Sequence, residues 1–250
     1  MKYFKYCASG NDFIIFADEE KKDRSKIAQI LCNRYEGIGA DGLIAIIPHK
    51  RYDFQWQFYN CDGSEANMCG NGSRAAAHFA HHFLKKSKYL NFITGAGLIK
   101  SYVEDDMVEV KLSSVENIKE AFKYKQKQWQ LCDTGVPHLV TFVNDLNDFD
   151  EKICKELRQK YNANVNFAKI VNDRLLMVRT FERGVESETL ACGTGMSACF
   201  YLAQLDEKVK SEVTIKPKSG EELFFRFEEN QIFFKGKVKY CFEANYNFSY

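Results

Sequence analysis

The chain is written mostly in short alternating runs of apolar and polar residues, separated by charged or glycine-bearing turns. Period-two alternation predicts strands over Phe13–Phe16, Leu43–Ile47 and Phe54–Tyr59, and again over Leu139–Val143, Asn166–Val171 and Leu175–Phe181. Helical spacing appears after Asp23, where Ile27, Ile30 and Leu31 share a stripe, and after Asp148, where Ile153 and Leu157 do. Both aspartates are read as caps of those helices. Two further segments are apolar nearly all round: SRAAAHFAHHFL from Ser73 and MSACFYLAQL from Met196. A helix without a polar face is a buried one, so each is expected at the centre of its half. Strand pairs around Gly95 to Gly97 and Ser219-Gly220 close the halves. The pattern predicts a mixed α/β fold, each half a largely antiparallel sheet wrapped around a central helix.

The two sets of elements follow one order, which points to an internal duplication. FYNCDGSEANMCGNG from Phe58 aligns without a gap on FERGVESETLACGTG from Phe181. The windows share Phe58/Phe181, Ser64/Ser187, Glu65/Glu188, Cys69/Cys192, Gly70/Gly193 and Gly72/Gly195, an offset of 123 residues (Cys69 to Cys192). GNDFIIF from Gly10 resembles GVPHLVTF from Gly135, and EDDMVEV from Glu104 resembles EENQIFF from Glu228, at nearly the same offset. Two halves are expected, 1–115 and 116–239, with a tail over about 240–250 that packs back on the first.

Composition narrows the function. Thirty-five basic residues balance 34 acidic ones, for a net charge of +1, with no long basic run. Binding to nucleic acid or to an anionic membrane is not expected. No apolar segment approaches the roughly 20 residues of a membrane helix, and MKYFKYCASGNDF at the start lacks a signal-peptide pattern. Nine cysteines, an odd number without any C-x-x-C, argue against a disulfide framework and a zinc knuckle. A reducing, cytoplasmic setting follows. Most cysteines, Cys61 and Cys199 included, are expected to be packing residues.

Cys69 and Cys192 differ from the rest. Each stands just before Gly-x-Gly at the start of an apolar helix. A helix N-terminus carries partial positive charge and unpaired N–H groups. It can lower a thiol pKa well below about 8.5. The amides around Gly70-Asn71 and Gly193-Thr194 would suit a carboxylate or phosphate. If the halves face one another, one thiolate could take a proton from one face of a carbon while the other thiol returns one to the opposite face. That chemistry needs neither metal nor cofactor. The duplication alone leaves catalysis and inherited packing both open.

Seven ordered blocks resemble the diaminopimelate epimerase family over nearly the whole chain. They are GNDF from Gly10, GIGADG from Gly37, FYNCDGSEANMCGNGSR from Phe58, GVPH from Gly135, NANVNF from Asn162, ERG from Glu182 and ESETLACGTG from Glu186. The resemblance implies two pseudosymmetric domains with the active site between them. It implies interconversion of LL- and meso-diaminopimelate without pyridoxal phosphate, toward lysine and peptidoglycan. By position, Cys69 and Cys192 resemble the acid/base pair, and His138 and Glu182 resemble groups that orient or polarise the reacting centre. Asn11, Asn60, Asn71, Asn164, Glu182 and Arg183 resemble substrate contacts, with Gly70, Gly193 and Thr194 at the helix starts. The resemblance also suggests a homodimer. Gly42 and Val136 depart from it, standing where some members carry Gln and Asn. The proline and hydroxyproline racemase branch of the same fold differs beside its cysteines, with C-G-H and S-P-C-G-T-G, whereas here Asn71 follows Gly70 and Ala191 precedes Cys192. A racemase for another amino acid and a non-catalytic thiol-redox protein are the competing readings.

Overall fold

A computed structural model describes residues 1–112 and 114–247. Residue 113 of the first half, and residues 248–250 of the tail expected to pack back on it, lie outside the described residues. The chain forms two compact units, residues 1–110 with 236–250 and residues 111–235.

The first unit opens with β1 (Lys2–Ala8) and β2 (Asn11–Ala17), then α1 (Ser25–Cys32), β3 (Gly42–Ile47) and β4 (Phe54–Asn60). The long α2 (Gly70–Phe83) follows, then β5 (Tyr89–Thr94), β6 (Gly97–Glu104) and β7 (Met107–Lys111). β1 and β2 form a hairpin whose two turn residues, Ser9 and Gly10, both have positive φ (50° and 86°). Such a turn matches the twist of paired strands. β2 runs parallel to β3, β3 antiparallel to β4, and β4 parallel to β5, which continues antiparallel into β6 and β7. A strand from the end of the chain, Lys239–Asn245, pairs antiparallel with the free side of β1. α2 packs on β1, β2, β3 and β6, and its residues from Gly70 to Ala80 are buried. The helix expected at the centre of this half is there, and the alanines of AAAHFA let the strands approach it closely.

The second unit repeats the plan. It contains β8 (Phe122–Tyr124), β9 (Lys127–Asp133), β10 (Pro137–Phe142), α3 (Glu151–Tyr161), β11 (Asn164–Asn172), β12 (Leu175–Glu182) and the short β13 (Ser187–Thr189). After α4 (Gly193–Leu205) come β14 (Glu212–Lys216), β15 (Leu223–Glu228) and β16 (Gln231–Lys237), and the terminal strand is β17. β10 is parallel to β11 and β12 to β14, and the other pairings are antiparallel. The two parallel pairs thus recur at equivalent places in both units. α4 packs on β10, β11, β12 and β15, and three of these, β10, β11 and β15, are the counterparts of β2, β3 and β6, which hold α2. β8 pairs with β9 as β17 does with β1.

Five of the six strands read from alternation lie wholly within observed strands, and the sixth, Leu139–Val143, overruns β10 by one residue, since that strand ends at Phe142. The caps of α1 and α3 need correction. Asp150, not Asp148, caps α3, accepting from the backbone N–H groups of Lys152 (2.8 Å) and Ile153 (3.3 Å). Asp148 belongs to a separate 3₁₀ turn, Leu146–Asp148, started by Asp145. At α1 the cap position is Arg24, whose guanidinium is buried and paired with Asp18 at 2.7 Å. Asp23 sits one residue earlier and accepts from Ser25 N and Oγ. Cys61 is exposed rather than packed, and so is Cys241, whereas Cys199 is buried as expected.

Candidate active site

The two singled-out cysteines hold equivalent backbone positions. Each is the N-cap of its central helix in extended conformation, Cys69 at φ −149°, ψ 118° and Cys192 at φ −125°, ψ 108°. Each carbonyl accepts the first helical hydrogen bond, from Ser73 at 2.8 Å and Met196 at 2.9 Å. A thiol at an N-cap lies beside the orphan N–H groups of the first turn, and Cys69 Sγ accepts from Gly72 N at 3.4 Å. Gly70-Asn71 and Gly193-Thr194 are the first two residues of the two helices.

Around Cys69 the first unit builds a polar chain, buried at Asn71 and Arg74 and half-buried at Asn11 and Asp41. Asn71 Nδ2 donates to Asn11 Oδ1 (2.8 Å), and Asn11 Nδ2 donates to Asp41 Oδ2 (3.1 Å). The fully buried Arg74 donates to Asn71 Oδ1 (2.8 Å), Ser9 Oγ (2.6 Å) and the Lys237 carbonyl (3.1 Å). Asp12 sits beside this chain; burial opposes its ionisation, but hydrogen bonds from Arg34 and Lys5 outweigh that and hold its carboxyl down to about 2. Asn11 and Asn71 are therefore brought together. Asn60 is instead exposed and donates to Ser64 Oγ at 3.0 Å in the turn after β4. Gly42 has a steric cause: a Cβ there would lie 2.5 Å from Phe58 Cε2 and 2.8 Å from the Tyr59 carbonyl. The Phe58 ring fills the space in which a glutamine side chain would begin.

Around Cys192 the second unit builds a longer chain. Cys192 is 7% exposed, and its Sγ lies 3.5 Å from Thr194 Oγ1. Thr194 Oγ1 is 3.0 Å from Nε2 of the fully buried His138, and the Thr194 carbonyl accepts from Thr134 Oγ1 at 3.1 Å. His138 Nδ1 meets Asn166 Nδ2 at 3.1 Å. Asn166 also donates to the Leu139 carbonyl (2.9 Å) and accepts from Thr180 Oγ1 (2.9 Å). Asn164 accepts the Arg183 backbone N–H at 2.8 Å and reaches the Pro137 carbonyl and His138 Nε2, each at 3.4 Å. Arg183 Nη1 donates to the Asn162 carbonyl at the end of α3 (3.0 Å), which anchors one nitrogen of the guanidinium. Glu182 and Arg183 are half-buried at the end of β12 and just beyond it. His138, Asn164, Arg183, Thr194 and Cys192 thus form one connected group.

Asn166, Thr180, Thr134 and Arg74 belong to these networks and were not singled out in the sequence. Asn166 carried a signal, a polar residue between the apolar Val165 and Phe167.

Burial drives the His138 pKa down to about 3, and the nearby Arg183 charge lowers it as well. The unfolded chain would protonate this histidine near its ordinary value of about 6.5. Stability from this residue is therefore intact at neutral pH and falls as pH drops below about 6.5, by up to about 1.4 kcal/mol per pH unit, until about pH 3. His138→Gln should give a flatter acid limb in urea-unfolding free energy between pH 6.5 and 4. Equal slopes in the two proteins would contradict the buried neutral imidazole. A second packing prediction concerns Gly195. A Cβ there would stand 2.4 Å from Asn166 Oδ1 and 3.1 Å from Thr180 Oγ1, and Asn166 is pinned by its hydrogen bonds. Gly195→Ala should lower stability by about 1–3 kcal/mol, the usual cost of overpacking. An unchanged urea midpoint would show that the pocket yields.

The chain matches the family model described as diaminopimelate epimerase over residues 3–117 and 131–241, one segment in each half. The chain belongs to the diaminopimelate epimerase family. It is 74% identical to a diaminopimelate epimerase of Campylobacter lari over the whole of both chains. It is 40% identical to one of Helicobacter pylori, covering 96% of this chain and 94% of that one. Membership makes the chain an isomerase, an amino-acid epimerase. Among solved structures it shares its fold with a probable proline racemase of Agrobacterium radiobacter (TM-score 0.77, 12% identity, 99% and 93% of the chains covered). A PhzF-family phenazine biosynthesis protein of Bacillus anthracis is similar (TM-score 0.75, 14% identity, 98% of each). Those likenesses carry the fold, two repeated α/β domains, and not the reaction. No helix among the described residues is long and apolar enough to cross a membrane.

Proposed function

We propose that this chain interconverts LL- and meso-diaminopimelate, with Cys69 and Cys192 as opposed base and acid on one α-carbon. The observation that carries the reading is the equivalence of the two cysteines, each an extended N-cap of a buried helix at the same place in a repeated unit. One thiolate takes the α-proton. The electron pair moves into the substrate carboxylate, which then bears more negative charge, and the other thiol delivers a proton to the opposite face. N–H groups at Gly70-Asn71 and Gly193-Thr194 offset that growing charge, which is where preorganised donors act most strongly. For the reverse reaction the thiols exchange roles. His138 and Glu182 orient this centre. Arg183 holds the distal carboxylate in a guanidinium fork, and Asn11, Asn60, Asn71, Asn164 and Glu182 complete recognition of the two amino-acid heads.

The scheme calls on no cofactor, and we place the enzyme in the cytoplasm as a homodimer on the route to lysine and peptidoglycan precursors. Incubation with LL-diaminopimelate, proline and histidine in deuterated water tests the substrate. Meso isomer and solvent exchange of the α-proton should appear with diaminopimelate alone. Comparable exchange with proline would defeat the assignment.

A further inference from the structure

We propose that Asn166 is a positioning residue for Cys192: by fixing the tautomer of His138, it commits the Thr194 hydroxyl to donate toward the Cys192 sulfur. The inference rests on Cys192 being one of the two acid/base thiols, but its tests need no substrate.

The orientation of the Asn166 amide decides the chain. Asn166 is fully buried on β11, so each of its polar atoms requires a partner. Its oxygen accepts from Thr180, and its nitrogen faces the Leu139 carbonyl and His138 Nδ1. Flipping the amide would press two carbonyl oxygens together at Leu139. Nδ2 therefore donates, and His138 Nδ1 accepts. A neutral imidazole carries a single N–H, which must then be on Nε2. The Thr194 oxygen, at 3.0 Å, receives it. Asn164 Nδ2, at 3.4 Å from the same ring nitrogen, is the looser neighbour and has the Pro137 carbonyl to serve. With its oxygen accepting from His138, Thr194 has its hydroxyl hydrogen to give, and Cys192 Sγ is 3.5 Å away.

The donors run one way, from Thr180 through Asn166, His138 and Thr194 to Cys192, so the dipoles reinforce each other. No proton travels along the chain. His138 stays neutral and acts as a fixed dipole rather than as the cation of an ion pair. The arrangement favours the thiolate of Cys192 over the thiol, because a hydroxyl donates more strongly to a charged acceptor. Ionisable groups close by include Cys199 on α4 and Cys132 on β9, buried thiols whose pKa values burial raises, and Arg183, within electrostatic reach of His138. Both of those thiols stay protonated in the neutral range, which keeps them out of a thiolate measurement.

Two measurements test the chain. In protein labelled with ¹⁵N-histidine, His138 should show the Nε2–H tautomer and should not titrate between pH 5 and 9. Asn166→Asp, nearly the same shape but without an N–H to give, should move the proton to Nδ1. In parallel, iodoacetamide alkylation of Cys192 is followed against pH by peptide mass spectrometry. Thr194→Val, which adds no charge, should slow alkylation at a fixed pH below the thiol midpoint roughly ten- to a hundredfold, the size of one hydrogen bond to a charged group. Thr194→Ser should restore it. Asn166→Asp should slow it similarly, and the double variant Asn166→Asp/Thr194→Val should be no slower than the slower single one, because both act through one hydroxyl. An Nδ1–H tautomer in the native protein, or additive effects in the double variant, would overturn the proposal. A failure of the proposed reaction would show separately, in the diaminopimelate assay.

Discussion

Cys69→Ala and Cys192→Ala should each lower diaminopimelate epimerisation by about a thousandfold or more, while the circular dichroism spectrum and urea midpoint stay close to native. Acid/base groups each contribute about 10²–10⁴, and removing one thiol of an opposed pair also leaves its partner without a complementary step. Cys→Ser at either position should be nearly as damaging, because a serine hydroxyl is a much weaker acid than a thiol. The stability expectation follows from the fold: at both helix starts the cysteine carbonyl accepts the first helical bond, and the Cys69 sulfur adds only one long bond, from Gly72 N at 3.4 Å. Either alanine variant retaining near-native turnover would remove that cysteine from the chemistry.

Arg183→Lys should cost roughly ten- to several-hundredfold in kcat/KM, and Arg183→Ala more. A charge-assisted fork to a carboxylate contributes about 1.5–3 kcal/mol, and about 1.4 kcal/mol corresponds to one decade. Lysine keeps the charge and loses the two parallel donors. The surroundings sharpen the expectation. The Arg183 backbone N–H is held by Asn164, and its Nη1 by the carbonyl of Asn162, a left-handed residue at the end of α3. One nitrogen of the guanidinium is thus anchored before substrate arrives. Part of the loss should appear in kcat, because remote binding energy helps position the reacting carbon. The amino acid lysine, lacking the distal carboxylate, should be a very poor substrate of the native enzyme. Native racemisation of lysine at a rate near that of diaminopimelate would refute the distal clamp.

Much of the fold was legible because burial leaves a period in the sequence. The six strands with alternating or continuous apolar faces were found, and so were the two central helices, whose lack of a polar face identifies them. β17 left no such mark: its residues are mostly exposed, so nothing alternates. β8 and β13, three residues each, are too short to show a period. The cap of α3 was misplaced because three aspartates, Asp145, Asp148 and Asp150, precede it, and only the intervening 3₁₀ turn distinguishes them.

The cysteine pair was legible for another reason. Duplication presents the same residue twice in one local setting, and both copies became extended N-caps. His138, Asn164 and Arg183 were reached only through family blocks, since nothing local marks a histidine after Pro137 as functional. Asn166 was passed over although it lies in one of those blocks. Its role depends on which atoms its amide faces, and that is set by Thr180 and Leu139 on neighbouring strands. The exposed Cys61 was misread because a cysteine's average burial says nothing about one at a turn.

Early turnover of LL-diaminopimelate in deuterated water tests the two-thiol mechanism most directly. Two distinct groups remove and return the proton, so newly formed meso isomer should carry solvent deuterium at the inverted carbon, while the LL-diaminopimelate still present keeps its protium. Meso product that retains the substrate's own proton would mean that a single group serves both faces, and would contradict the opposed pair of Cys69 and Cys192.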